Sequence, residues 1–221
     1  MVGVILWPPA TVITRSLPKS ITCADLSGTV WRGQCSGLSV RGSRSGAIQW
    51  HIRAPDNSPA GLRVDLMWKK SESLAQGTLT LPLSGASSLR VGNSAVELQT
   101  LRNALPADLI LGALVGVSGT LNTSNLLLEF ESGRLAGLTG NIILYNARLL
   151  KSGASIGPFS GQFRGADGSL RDLGGALGLS ATVKISDGAF RSLFRLVPRD
   201  ASVLRGFSAS TPLEAEVEGR L

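Results

Sequence analysis

At 221 residues the chain is long enough to bury one substantial core and is sized for one or two domains. Its 43% hydrophobic and 17% charged residues fit a globular protein, and its 27 glycines, scattered without a period, exclude a collagen helix and point to many turns between short strands. The 22 basic against 15 acidic side chains leave +7, which suits an anionic lipid surface or an acidic protein; the six Phe, four Trp and one Tyr are not interleaved with the basic residues, so nucleic acid is not an expected partner.

Residues 1–17 read as an apolar arm. Pro8 and Pro9 interrupt any helix there, the apolar run falls short of the ~20 residues a spanning helix needs, and no basic segment precedes it as in a signal peptide. Two readings stay open: a buried or frayed arm, or the remnant of a membrane anchor whose upstream part lies outside this sequence. Residues 18–221 read as a single β-rich domain.

The stretch Leu26-Ser27-Gly28-Thr29-Val30-Trp31-Arg32-Gly33-Gln34-Cys35-Ser36-Gly37-Leu38 reads as two short strands around a glycine-punctuated bend, with Trp31 set among small residues. Cys23 and Cys35 are the only cysteines. With no histidine nearby and no Cys-x-x-Cys spacing they suggest neither zinc nor a redox pair. In an oxidising compartment they would form a structural disulfide; in a reducing one they would be two buried thiols.

Alternating segments follow at 47–53 and 62–69, then at 77–81 and 95–98. Further short strands are expected at 119–121, 125–130, 140–145, 147–150, 159–164, 179–185 and near 213–218. Glycine and Ser/Asn/Asp clusters separate them at short spacing, which predicts an antiparallel meander. Two segments suggest short helices. One lies within 98–115, where Leu101, Leu105, Leu109 and Leu114 are interrupted by Pro106. The other covers 189–197, capped by Asp187 and stopped near Pro198, with Phe190, Leu193, Phe194 and Val197 inward. Arg191, Arg195 and Arg199 would then face outward, as a solvated face or as a contact for an acidic partner or lipid headgroup. A faint internal echo links Gly28-Thr29-Val30-Trp31 to Gly119-Thr120-Leu121, each opening a strand series that ends in a helix.

No catalytic constellation declares itself. Gly153-Ala154-Ser155-Ile156-Gly157 matches Gly-x-Ser-x-Gly, but Pro158 and Phe159-Ser160-Gly161 suggest turn then strand rather than the strand-to-helix elbow of a nucleophile. His51, the one histidine, sits in an alternating strand. Asp65, Glu97, Glu129 and Glu131 are spread over different strands, and no phosphate loop or dinucleotide fingerprint is present. No enzyme activity, cofactor or metal is expected.

The bend around Trp31 resembles the entry block of the GspN family, protein N of the bacterial type II secretion system. Trp50 fits the tryptophan that follows on the next strand. Gly140-Asn141-Ile142-Ile143-Leu144-Tyr145-Asn146-Ala147-Arg148-Leu149 is similar to the family's later Gly-x-Val-x-Trp-x-x-Ala-x-Leu block, with Tyr145 near the position where tryptophan is usual. The resemblance implies an inner-membrane-anchored periplasmic accessory that aids protein export across the outer membrane. Its implied partners are other type II secretion components, the outer-membrane secretin among them, and the inner membrane. The implied contacts are exposed strand edges or basic loops. A kinship with AsmA-like envelope proteins implies a mainly β fold, an extended meander forming a curved sheet or partial barrel with one or two short helices. It also implies a rival role in lipid binding or transfer, with Leu126, Leu128, Ile142, Leu144 and Phe163 as candidates for an apolar groove; an ordinary closed core is the alternative for those five.

Overall fold

The computed structural model describes residues 8–15, 18–53, 61–104, 116–186, 188–199 and 213–220. One antiparallel sheet holds fourteen strands. Its first part comprises β1 (Ile21–Gly28), β2 (Arg32–Val40), β3 (Ser43–Arg53), β4 (Gly61–Lys70), β5 (Ser73–Pro82), β6 (Ser87–Val91) and β7 (Ser94–Glu97). Its second part comprises β8 (Val117–Glu131), β9 (Arg134–Leu149), β10 (Ser155–Arg164), β11 (Asp167–Asp172), β12 (Leu177–Ser186), β13 (Ala189–Pro198) and β14 (Leu213–Arg220). Nearly every strand pairs with its neighbour in sequence, as short turns demand of a meander. The exception lies between β5 and β8, where β6 and β7 run end to end around a break at 92–93 and both bridge the same two strands, closing a partial ring.

Two strands are longer than the sequence pattern suggests. β8 absorbs the segments expected at 119–121 and 125–130, and β9 the one at 140–145 and, except for Leu150, the one at 147–150. The polar interruptions that read as turns are bulges inside continuous strands. Asn125 and Asn146 sit there at φ 51°, a left-handed conformation that asparagine tolerates. The bulge between Ser124 and Leu127 adds a residue to β8 against its partner, so Leu121 and Leu128 point to the same side despite their opposite parity.

One face of the sheet is apolar from end to end. Ile48 lies opposite Trp68, Val64 opposite Leu79, Leu79 opposite Leu89 and Leu89 opposite Leu128. Beyond β8 the face continues through Leu121, Leu144 and Phe159 in register, then through Ala181 and Phe194. Directly opposite residues share a face, so the register alone fixes this continuity. Leu126, Leu128, Ile142, Leu144 and Phe163 all lie on it. Leu144 and Phe163 are buried, whereas Leu126, Leu128 and Ile142 are half-buried.

The densest packing sits on this face in the second part. Leu98, Val117, Leu144, Ala147, Ile156 and Phe159 form one buried cluster, with Leu121, Leu149, Leu177 and Leu179 against it. Helix α1 (Leu98–Ala104) supplies Leu98 and packs on β7, β8 and β3. The rest of the helical region expected within 98–115, with Leu105, Pro106, Leu109 and Leu114, lies outside the described residues. So do residues 1–7 and 16–17 of the N-terminal arm. Between them a 3-10 helix, Ala10–Arg15, follows Pro9 directly, and the Ala10 side chain is buried.

The helix expected at 189–197 is a strand. β13 pairs with β12 over its whole length and with β14 on its other side. Phe190 and Phe194 are four apart, a spacing that fits a helix and a strand equally well. The residues between them decide: Ser192 is fully buried and Leu193 is 55% exposed, the reverse of what a helical stripe requires. Asp187, the expected cap, lies outside the described residues. The internal echo also dissolves. Gly28 ends β1 and Thr29 to Trp31 form a turn, whereas Gly119 to Leu121 lie within β8.

Candidate functional site

The entry block is built as a knot of backbone contacts. β1 and β2 pair in register, with Gly28 opposite Gly33, and Thr29 to Trp31 close the turn. The Thr29 N–H donates to the Arg32 carbonyl (2.8 Å), and the Arg32 N–H donates to the Thr29 hydroxyl (3.1 Å). The Val30 N–H donates to the Pro8 carbonyl (2.9 Å), tying the N-terminal arm to the turn. The Trp50 indole N–H donates to the Val30 carbonyl (2.9 Å), and the Ile52 N–H to the Trp31 carbonyl (2.6 Å). Gly33 must lack a side chain, because a Cβ there would collide with the Trp50 ring. The two tryptophan-bearing motifs are therefore one structural unit.

Cys23 and Cys35 form a disulfide across β1 and β2, with Cα atoms 5.8 Å apart. β2 is bulged between Cys35 and Leu38, and Gly37 sits there at φ 69°. Cys35 is buried on the apolar face opposite Leu26 and Ile48. The bridge staples the first hairpin and contributes about 3 kcal/mol for a loop of this order.

Arg191 and Arg195 lie on β13, on the face opposite the apolar one, and Arg199 follows the strand. Each meets an acid of the same chain. Arg191 pairs with Glu216 and, at 3.3 Å, with Glu218 of β14; Arg195 reaches Glu214 at 4.0 Å. Arg199 donates from Nη1 to Asp172 Oδ1 at 2.6 Å. Glu216 is held below the ordinary carboxylate range, chiefly by the hydrogen bond from Arg191. All three side chains are at least half exposed; a strand rather than a helix carries Arg191 and Arg195, with β14 supplying their counter-charges, and Arg199 takes its own from Asp172.

Two carboxylates are held by several donors at once. Burial pushes the Asp65 pKa up, but the Thr78 hydroxyl (2.9 Å), Arg53 and Arg63 together outweigh it and leave it lowered. Burial likewise raises Asp172, and Arg199 with the backbone N–H groups of Leu179 and Gly174 lowers it further than that. Both read as structural clasps, Asp65 across β3, β4 and β5, and Asp172 across the turn before β12. His51 lies opposite Asp65 in register and is exposed. Ser155 opens β10 after a turn, so the Gly-x-Ser-x-Gly match runs from strand through turn to strand and lacks an elbow's geometry. Among the described residues no three His, Cys, Asp or Glu side chains gather to hold a metal.

Two depressions on the polar face leave no trace in the pattern of residues along the chain. One is a broad trough of about 940 Å³ over β2 to β6, bordered by Gln34, Gln49, Asp65 and Gln76. The other is a pocket of about 430 Å³ over β5, β7, β8 and β9. Their residues are dispersed along the chain as ordinary outward strand positions, and only the register gathers them. No helix among the described residues is long and apolar enough to cross a membrane.

A scan against protein-family models matches residues 19–202 to type II secretion system (T2SS), protein N. Searches of curated proteins and of solved structures return no match for the chain. The matched span takes in the cysteine-bridged entry hairpin, the bulged β8–β9 pair and the arginine-bearing strand. On that span the chain belongs to the type II secretion system protein N family.

Proposed function

We propose that this chain is an inner-membrane-anchored periplasmic accessory of the type II secretion machinery, aiding export by binding partner proteins through strand edges. The observation that carries this reading is the open sheet: β1 and β14 each have one neighbour and one edge left unpaired among the described residues. Such an edge presents a row of backbone donors and acceptors to a partner's strand. The disulfide agrees with an oxidising compartment, the bacterial envelope. The secretin is one candidate partner, and the edge of β14, rather than the arginine row beside it, is the surface offered.

A second reading, lipid binding, draws on a specific observation. The apolar face continues into β3, β4, β5 and β6, where Ile52, Val64, Leu66, Leu79 and Leu89 are only half-buried and Leu62, opposite Leu81, is 42% exposed. A continuous apolar surface of this kind marks a protein or acyl-chain contact.

Photo-crosslinking in the native envelope separates the two. A photoreactive residue at Ala215 on β14 is expected to capture a secretion protein. The same group at Leu79 is expected to capture lipid if the apolar face is a groove. Capture of phospholipid or lipopolysaccharide at both positions, with no secretion protein at either, overturns the secretion reading.

A further inference from the structure

The two ends of the sheet are not alike. Alternate turns of a meander lie at the same end, so the connections β1–β2, β3–β4 and β5–β6 share one end of the first part. Register brings them level: Arg32 lies opposite His51, Arg53 opposite Arg63 and Gly61 opposite Pro82. The N-terminal arm joins the sheet here. Pro9 bridges Thr29, and the Pro8 carbonyl accepts from the Val30 N–H. The apolar stretch Met1-Val2-Gly3-Val4-Ile5-Leu6-Trp7 therefore connects to the chain beside the Thr29 to Trp31 turn.

The same end carries apolar side chains that no core covers. Leu83, the first residue after β5, is 82% exposed, and no other large apolar side chain among the described residues exceeds 55%. Its turn, Leu83-Ser84-Gly85-Ala86, holds no charge. Trp31 is 40% exposed in the first turn, and Val12, Leu62 and Leu81 are exposed as well. Exposed apolar residues scattered singly need no explanation, but these gather at the end where an apolar arm is tied down.

Cations stand behind them. Arg32, His51, Asp65, Thr78 and Arg90 form one cross-strand row, and Arg53 opposite Arg63 forms the next row toward the turns. Across β2 to β6 four arginines thus stand with one carboxylate at this end; Glu129 follows on β8, and Asp56 lies outside the described residues. Charge alone does not choose between the ends, since Arg41, Lys69, Lys70 and Lys151 lie at or beside turns of the other. The arm and Leu83 do choose.

We propose that this end docks on an anionic phospholipid bilayer, with Leu83 and Trp31 entering the headgroup layer and Arg32, Arg53 and Arg63 meeting lipid phosphates. Tryptophan favours that layer, and each arginine near an anionic surface adds to the attraction. The inference rests on the reading of the chain as membrane-anchored and adds what an anchor alone leaves open, the orientation of the sheet. The strands stand end-on to the membrane, and the β14 edge runs away from it, open to a partner.

The test uses the full chain with its disulfide oxidised and vesicles of phosphatidylethanolamine and phosphatidylglycerol containing brominated phospholipid. A fluorescent label is placed at Leu83→Cys and, as control, at Leu150→Cys, since Leu150 is 46% exposed at the opposite end. Quenching at position 83 and none at position 150 is expected. Arg32→Gln should weaken binding to these vesicles about fivefold and leave binding to phosphatidylcholine alone unchanged, with an unchanged urea midpoint. Quenching at position 150 as strong as at position 83 overturns the proposal. Bound protein with an unquenched label at position 83 removes the docking and keeps the anchor, whereas absence of vesicle binding removes both. The secretion role is read separately by the crosslink at Ala215: quenching at position 83 without a secretion protein there removes that role and leaves the docking.

Discussion

The two parts of the sheet carry the same binary pattern and treat it differently. In β10, β12 and β13 the apolar face is buried, with Phe159, Phe163, Ala181, Val183, Phe190 and Phe194 each less than a tenth exposed. In β3, β4, β5 and β6 the corresponding positions, Ile48, Trp50, Val64, Leu66 and Leu79, are only half-buried. The difference is curvature. In the second part the sheet rolls tightly enough that β9 comes near β11 and β12, strands two and three places away. Bulges in β8, β9 and β10 supply the bend, because each adds a residue on one strand and increases the local twist. In the first part the large side chains are tryptophans whose N–H groups bond backbone carbonyls, Trp50 to Val30 and Trp68 to Ser45 at 2.6 Å. An amphipathic sheet thus hides its apolar face where it curls and leaves it accessible where it does not.

Unfolding experiments can break this comparison. Every tryptophan lies at or before residue 68, so tryptophan fluorescence reports the first part while far-ultraviolet circular dichroism reports the whole sheet. The largest effect is expected in the curled part: Phe194→Ala should cost about 3–5 kcal/mol in urea unfolding, as a buried aromatic truncation does. Removal of the disulfide by Cys23→Ser with Cys35→Ser should cost about 3 kcal/mol and should lower the fluorescence midpoint at least as far as the dichroism midpoint. Leu79→Ala, half-buried in the flatter part, should cost only about 1–2 kcal/mol; a loss as large as that of Phe194→Ala would mean that this face is covered after all.

Acid titration sharpens the comparison further, because each part holds one clasped carboxylate. Asp65 and Asp172 both have pKa values lowered in the folded state. Their contribution is therefore complete above the ordinary carboxylate range and is lost as the pH falls through the lowered folded values. The urea midpoint should drop on acidification below about pH 5, and Asp172→Asn should flatten part of that drop while lowering stability at neutral pH. The smallest effect is expected at the strand surface. Arg195→Ala should leave the midpoint unchanged, since its ion pair with Glu214 is exposed and long.

The mainly β meander, most strand positions and the facing of Leu126, Leu128, Ile142, Leu144 and Phe163 were legible because period-two alternation is a local signal. The family resemblance was legible in the block around Trp31, Trp50 and the later Gly140 segment, since these residues are required by close backbone approach rather than by solvent chemistry. The strand at 189–197 was not legible, because Phe190 and Phe194 satisfy both periods and only pairing with β12 and β14 separates them. The pocket over β5, β7, β8 and β9 was not legible either, since its amides come from segments far apart in sequence.

What the amino-acid sequence determined by itself was alternation, punctuation by glycine and asparagine, and the presence of two cysteines close enough along the chain to staple one hairpin. What only the tertiary structure decided was register. Register turned polar interruptions into bulges, matched Arg191 and Arg195 to the acids of β14, gathered Asn93, Asn122 and Asn141 around Ala95, and set where the sheet curls. The physical reason is that side-chain direction along a strand is a local property, whereas the identity of the neighbour across the ladder depends on pairing between segments that the chain itself does not place side by side.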